Sequence, residues 1–96
     1  MRFEWDEAKR AANLAKHGLD FIDAKPLLDG RPCITFLSPR GSEVRFVTVG
    51  LLGTAFVALV WTERNGVTRL ISFRRARDGE KRQYRSRFGS RSPGHA

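Results

Sequence analysis

The dipeptide Asn65-Gly66, set between the apolar runs Phe56–Trp61 and Leu70–Phe73, constrains this chain more than any other feature. A two-residue type I′ turn needs positive φ at both central positions, which asparagine and glycine tolerate best. The stretch Val57–Ala76 therefore reads as an antiparallel hairpin ending in Arg74, Arg75 and Arg77. A two-residue turn also sets a register: Arg64 opposite Val67, Thr62 opposite Arg69, Val60 opposite Ile71 and Val57 opposite Arg74. Strand alternation then puts Arg64, Thr62, Val60, Arg69, Phe73 and Arg75 on one face. Glu63, Trp61, Leu59, Leu70, Ser72 and Arg74 fall on the other. Both faces are apolar at mid-strand, so the hairpin is expected at the centre of a sheet. Charge collects at its ends.

A chain of 96 residues has room for a single core. One domain is expected over 1–88, followed by a mobile tail at 89–96, where GSRSPGHA has no apolar anchor. With 41% hydrophobic and 29% charged residues, the composition is that of a globular protein rather than a disordered one. The net charge of +8 is more telling, because fourteen arginines supply most of it against four lysines. Guanidinium is the better fork for phosphate or carboxylate, so a nucleic acid or an acidic protein is the implied partner. The lone Cys33 has no partner for a disulfide or a metal cluster and sits in an apolar run, where it reads as a buried, inert thiol. No cofactor or metal is expected. MRFEWDEAKR lacks an apolar leader core, and no apolar run approaches membrane-spanning length, so a cytoplasmic protein without membrane contact is expected.

Along the chain, Phe3-Glu4-Trp5 reads as a short lead-in, and Asp6 as the cap of a helix that Gly18 closes. Asp20 starts a second helix, short or kinked because Pro26 removes an amide. Four strands follow: Cys33–Leu37, Val44–Val49 and the two arms of the hairpin, with turns at Pro39–Ser42 and Gly50–Gly53. Asp78 is expected to cap a last helix running to about Phe88. The order implies an α+β domain: two N-terminal helices, a four-stranded antiparallel meander sheet and a C-terminal helix.

Phe3–Lys9, Asn13–Gly18, Asp20-Phe21, Arg45–Gly50, Thr62–Arg64 and Ile71–Ala76 together resemble the BrnT family. Those proteins are toxins of bacterial type II toxin–antitoxin pairs, related to RelE-like ribonucleases. The resemblance runs in order and spacing from Phe3 to about Arg85. It implies a RelE-like fold, an endoribonuclease that works without metal, and inhibition of translation. It also implies a BrnA-like antitoxin with a ribbon-helix-helix part, through which operator DNA is engaged indirectly. The loop Ser38–Ser42 departs from the family pattern, being shorter and lacking an Asp-Pro and a His-Ser. His17 is then the one plausible catalytic imidazole, because His95 falls in the tail.

Metal-free RNA cleavage needs a base for the 2′-hydroxyl, cations for the phosphorane and an acid for the leaving oxygen. His17 and Glu63 are candidate bases, and His17, Tyr84 or an arginine candidate acids. Arg74 and Arg75 are expected to stabilise phosphate charge, and Arg64, Arg69, Trp61 and Tyr84 to bind RNA. Each has a plainer reading too. His17 suits a helix end, Glu63 a solvated charge, and Trp61 and Tyr84 a core. In the expected register Glu63 and Arg74 share a face but stand roughly 20 Å apart, too far to serve one phosphate. A basic track along the sheet is therefore better supported than a tight catalytic group. A second class also fits: a catalytically inactive basic binding module acting as co-repressor beside its antitoxin.

Overall fold

The computed structural model describes residues 2–40 and 42–89. Its elements are β1 (Phe3–Glu4), α1 (Glu7–His17), a 3-10 helix (Phe21–Leu28), β2 (Cys33–Arg40), β3 (Glu43–Leu52), β4 (Ala55–Arg64), β5 (Val67–Arg75) and α2 (Asp78–Phe88). The strands form one sheet in the order β1-β5-β4-β3-β2, antiparallel except for β1, which runs parallel to β5. The expected α+β meander is present, with two corrections. The lead-in is a fifth strand, pairing Phe3 with Thr68 and Glu4 with Arg69, which makes the sheet mixed. The second helix is 3-10 rather than α.

That second correction has a clear cause. Pro26 cannot donate an amide, and Phe21, Ala24 and Leu27 recur at intervals of three, the repeat of a 3-10 helix. All three are fully buried against the sheet. Gly50 makes room for them, since a Cβ there would lie 3.0 Å from a methyl of Leu27. Gly50 is accordingly inside β3, paired with Val57, and the expected Gly50–Gly53 turn narrows to Gly53-Thr54, with Gly53 at φ 65°. Likewise β2 continues through Arg40 and β3 begins at Glu43, so the expected Pro39–Ser42 loop is a tighter reversal.

Asn65 and Gly66 take φ of 53° and 78°, and the hairpin begins in the expected register, with Arg64 opposite Val67 and Thr62 opposite Arg69. It does not keep it. The register shifts between Trp61 and Val60: Trp61 pairs with Leu70, but Val60 pairs with Ser72, leaving Ile71 as the extra residue of a β-bulge. The expected pairs Val60–Ile71 and Val57–Arg74 are replaced by Val60–Ser72 and Val57–Arg75. Burial explains the bulge. Leu70 and Phe73 are three residues apart, yet both lie in the core beneath α1 and the 3-10 helix with Val57 and Leu59. Strict alternation would send one of them to the opposite face.

Each face of the sheet has its own core. The α1 face packs Phe21, Ala24 and Leu27 on Val57, Leu59, Leu70 and Phe73. The α2 face packs Tyr84 on Val47, Val49, Ala58 and Ala76. The Asp6 carboxylate accepts the Ala8 amide at 2.8 Å to start α1, and the Gly18 amide donates to Leu14 at its close. At α2 the residue preceding the helix is Arg77 rather than the expected Asp78, and Glu80 reaches back to accept its amide at 2.8 Å. The tail expected at 89–96 lies, from residue 90 onward, outside the described residues.

β1 pairs only with Thr68 and Arg69, so the edge of β5 beyond it needs another partner. Asn13 provides one. Its amide donates to the Phe73 carbonyl at 2.8 Å and accepts the Phe73 N–H at 3.0 Å, both buried. Asn13→Ala should therefore orphan two buried backbone groups and cost about 2–3 kcal/mol of unfolding free energy, measured by urea denaturation.

Candidate nucleic-acid interface

The bulge decides where the arginines go. Arg69 and Arg74 are five residues apart and would alternate to opposite faces in a regular strand. With Ile71 extra, Arg69 faces Thr62 and Arg74 faces Ala58, both on the α2 face. This corrects the expected assignment, in which Arg74 shared a face with Glu63 and Arg75 sat with Arg64. Arg64 is on the α2 face as well, and so is Arg45, which alternates with the buried Val47 and Val49 on β3. Arg85 reaches this side from α2, its guanidinium 5.1 Å from the centre of the Phe56 ring.

Near the hairpin turn the cations are held by carboxylates of neighbouring strands. Arg64 donates to Glu43 at 2.7 Å and Arg69 to Glu4 at 2.8 Å. Between them the Thr62 hydroxyl donates to the Val44 carbonyl at 2.7 Å. Nε of Arg45 is buried with no hydrogen-bond partner among the described residues. At the other end Arg74 forks onto Glu80, with both N–O distances 2.9 Å. Bidentate geometry and a position mostly out of solvent make this the best-defined ion pair of the face.

These contacts set proton affinities. The hydrogen bond from Arg64 holds the Glu43 carboxyl below its ordinary value, against a smaller effect of burial. For Glu80 burial is the largest influence and acts upward, but the hydrogen bonds from Arg74 and from the Arg77 amide, with the charges of Arg74 and Arg77, together outweigh it and leave the carboxyl lowered. Both groups are carboxylates at neutral pH.

The remaining candidates are dispersed. His17 ends α1, one helical turn beyond Asn13 and on the same side of that helix. Arg75 is exposed on the α1 face opposite Val57. Glu63 is exposed on the α1 face opposite Thr68, near the turn and a full strand length from Arg75. Trp61 is half-buried, stacked on Phe46 at 4.6 Å, and its indole N–H donates to Thr48 at 2.8 Å. Tyr84 is buried between Phe56 and Phe88, so its ring already has partners. Among the described residues, no three His, Cys, Asp or Glu side chains group as a metal site would need.

Sequence reasoning passed over Arg45, Glu43, Glu4 and Glu80. Glu43 was reachable, because pairing the second and third strands of the meander brings the start of one beside the end of the other. Glu4 was not, since its contact depends on a parallel pairing across more than sixty residues.

The family model for "Ribonuclease toxin, BrnT, of type II toxin-antitoxin system" matches residues 5–80. The chain belongs to the BrnT family. No curated protein matches it. The matched span takes in Glu43, Arg45, Arg64, Arg69, Arg74 and Glu80, and stops short of Tyr84 and Arg85. As a BrnT-family ribonuclease toxin of a type II system, the chain has RNA as its substrate class and an antitoxin as its partner.

The Arg74–Glu80 pair joins the sheet to the first turn of α2, so its titration should be visible in stability. A carboxyl lowered on folding contributes fully above its unfolded value, here 4.5, and loses that contribution as pH falls through the folded one. Glu80→Gln should lower Tm at neutral pH and flatten the fall in Tm on acidification below about pH 4.5. Thermal melts of both proteins across that range measure it.

Proposed function

We propose that the chain is an endoribonuclease toxin that cleaves RNA without a metal ion, stops translation in the cytoplasm, and is neutralised by an antitoxin with a ribbon-helix-helix part that carries the pair to operator DNA. Family membership supports the ribonuclease class. The observation that carries the assignment of a surface is the bulge at Ile71, which gathers Arg69 and Arg74 onto the face that already holds Arg45 and Arg64. Arg69 and Arg74 lie roughly 16 Å apart along β5, a span that reaches across more than one nucleotide of a strand rather than a single phosphate.

In this reading Arg64 and Arg69 exchange their carboxylates for RNA phosphates. The exchange costs little, because one anion replaces another on the same guanidinium. Taking Arg64 away from Glu43 also removes the contact that holds the Glu43 carboxyl low. Its proton affinity rises beside the phosphate, and Glu43 accepts the proton of the 2′-hydroxyl as the 2′-oxygen–phosphorus bond forms; the phosphorus–5′-oxygen bond breaks and the departing 5′-oxygen takes a proton from water. Arg45 and Arg64 stabilise the phosphorane charge. Arg74, held by Glu80, positions α2 and lines the far end of the track. His17 and Glu63, the bases favoured by residue type, lie away from this face and are assigned no proton transfer. Arg75 supplies positive potential at the rim.

Arg64→Ala/Arg69→Ala should keep the fold and abolish growth arrest on induction, with RNA cleavage down about a hundredfold or more. Glu43→Gln should still bind RNA but lose cleavage, together with the acidic limb of the pH–rate profile. Mapping of new RNA 5′ ends, RNA binding and thermal melts measure these outcomes. Full cleavage by a folded Glu43→Gln, with cleavage lost in His17→Ala, would move the reaction centre to the end of α1. A wild type that binds RNA and antitoxin but leaves RNA intact would favour the inactive co-repressor instead.

A further inference from the structure

Toward the β2–β3 reversal, the α1 face of the sheet differs in chemistry from the arginine face, although Arg75 stands at its far end. Near the β2–β3 reversal, Leu37 and Val44 are 64% and 59% exposed, the largest values among the exposed large hydrophobic residues described. Leu37 pairs with Phe46 and Phe46 with Trp61, so these side chains form one row across three strands. Val44 adjoins the row on β3. The Phe46–Trp61 stack and the Trp61–Thr48 hydrogen bond hold its floor rigid. α1 and the 3-10 helix cover the other half of this face, over Val57, Leu59 and Phe73, and leave the row open. On β4 the charged side chain of this face is an anion, Glu63, two residues beyond Trp61, whereas the cation Lys25 sits over the Phe3 ring on β1, at the opposite edge of the sheet from β2.

This chemistry selects the occupant. RNA needs cations, and this surface offers apolar groups and a carboxylate. A second copy would bring +8 against +8. We infer that the open row Leu37–Phe46–Trp61, with Val44 and Glu63, is the docking surface for the antitoxin, through a segment that lays an apolar stripe on Leu37, Val44 and Phe46 and offers Glu63 a donor. An antitoxin acidic outside that stripe is drawn in by the charge of this chain. The inference rests on the toxin–antitoxin pairing but not on the assignment of the arginine face to cleavage. It places inhibitor binding and RNA binding on opposite sides of one sheet.

The test uses the purified chain and the purified product of the adjoining antitoxin reading frame. Leu37→Glu/Val44→Glu should weaken their binding about a hundredfold in calorimetric titration, and the milder Leu37→Ser/Val44→Thr about tenfold. Both should cleave RNA like the wild type, and both should escape rescue when the antitoxin is co-expressed. The exposure of both positions favours retained folding, and the milder pair carries the test if the glutamates unfold the chain. Unchanged binding by either folded variant would overturn the inference. So would failure of the wild type to bind, or a wild-type dimer that the substitutions turn into a monomer. Wild-type binding without RNA cleavage would count against the ribonuclease reading and leave the docking surface standing.

Discussion

The architecture turns on one misfit. Leu70 and Phe73 must both be dry, and both are drawn into the core beneath α1 although strand alternation would separate them. Ile71 absorbs the difference as a bulge. Burying two large side chains is worth several kcal/mol, more than the ladder contact given up at one residue. The sheet therefore accepts a local break in pairing to complete a core. Everything beyond the break changes phase, so that Arg74 comes to the α2 face and Arg75 to the α1 face. A packing requirement thus decides where cationic side chains collect.

The arginines gathered this way do not stand unopposed. Arg64 has Glu43, Arg69 has Glu4 and Arg74 has Glu80. Such pairs limit the self-repulsion of a chain carrying +8 and hold long side chains in defined rotamers. They differ in depth. Arg74 and Glu80 are 14% and 12% exposed, whereas Arg64 is 52% exposed. A shallow pair opens readily to a competing anion, while a deep one resists because breaking it strands a buried charge. The turn end of the face is thus suited to exchanging partners and the α2 end to holding the fold.

Much of this was legible in the residues, and the failures have physical causes. Asn65-Gly66 located the hairpin, Asp6 and Gly18 bounded α1, and short connections implied the meander. The bulge breaks strict alternation in β5 because two of its apolar residues share one core. The spacing of Leu70 and Phe73 held that information. The same holds for Phe21, Ala24 and Leu27, whose interval of three pointed to a 3-10 helix. β1 was out of reach, since two residues pairing with a strand more than sixty positions away leave no local periodicity. At the interface, residue type drew attention to His17 and Glu63, but proximity depends on register. Once the register moved, the carboxylates beside the arginines were Glu43, Glu4 and Glu80.

The two sides of the sheet differ in the range of their forces. Attraction between guanidinium groups and a polyanion extends over about a Debye length, roughly 8 Å at physiological salt, and weakens as salt rises. Contact with Leu37, Val44 and Phe46 acts only at touching distance and is nearly indifferent to salt. In the proposed arrangement, a partner held by that apolar row would keep its grip under salt that strips RNA from the opposite face. Cores on both sides pin the strands of the sheet, so in that arrangement neither ligand would need to deform it to bind. Antagonism between two ligands so placed would then come from the bulk or charge of the bound partner, projecting past the sheet edge into the path of the RNA, rather than from a shape change passed through the fold.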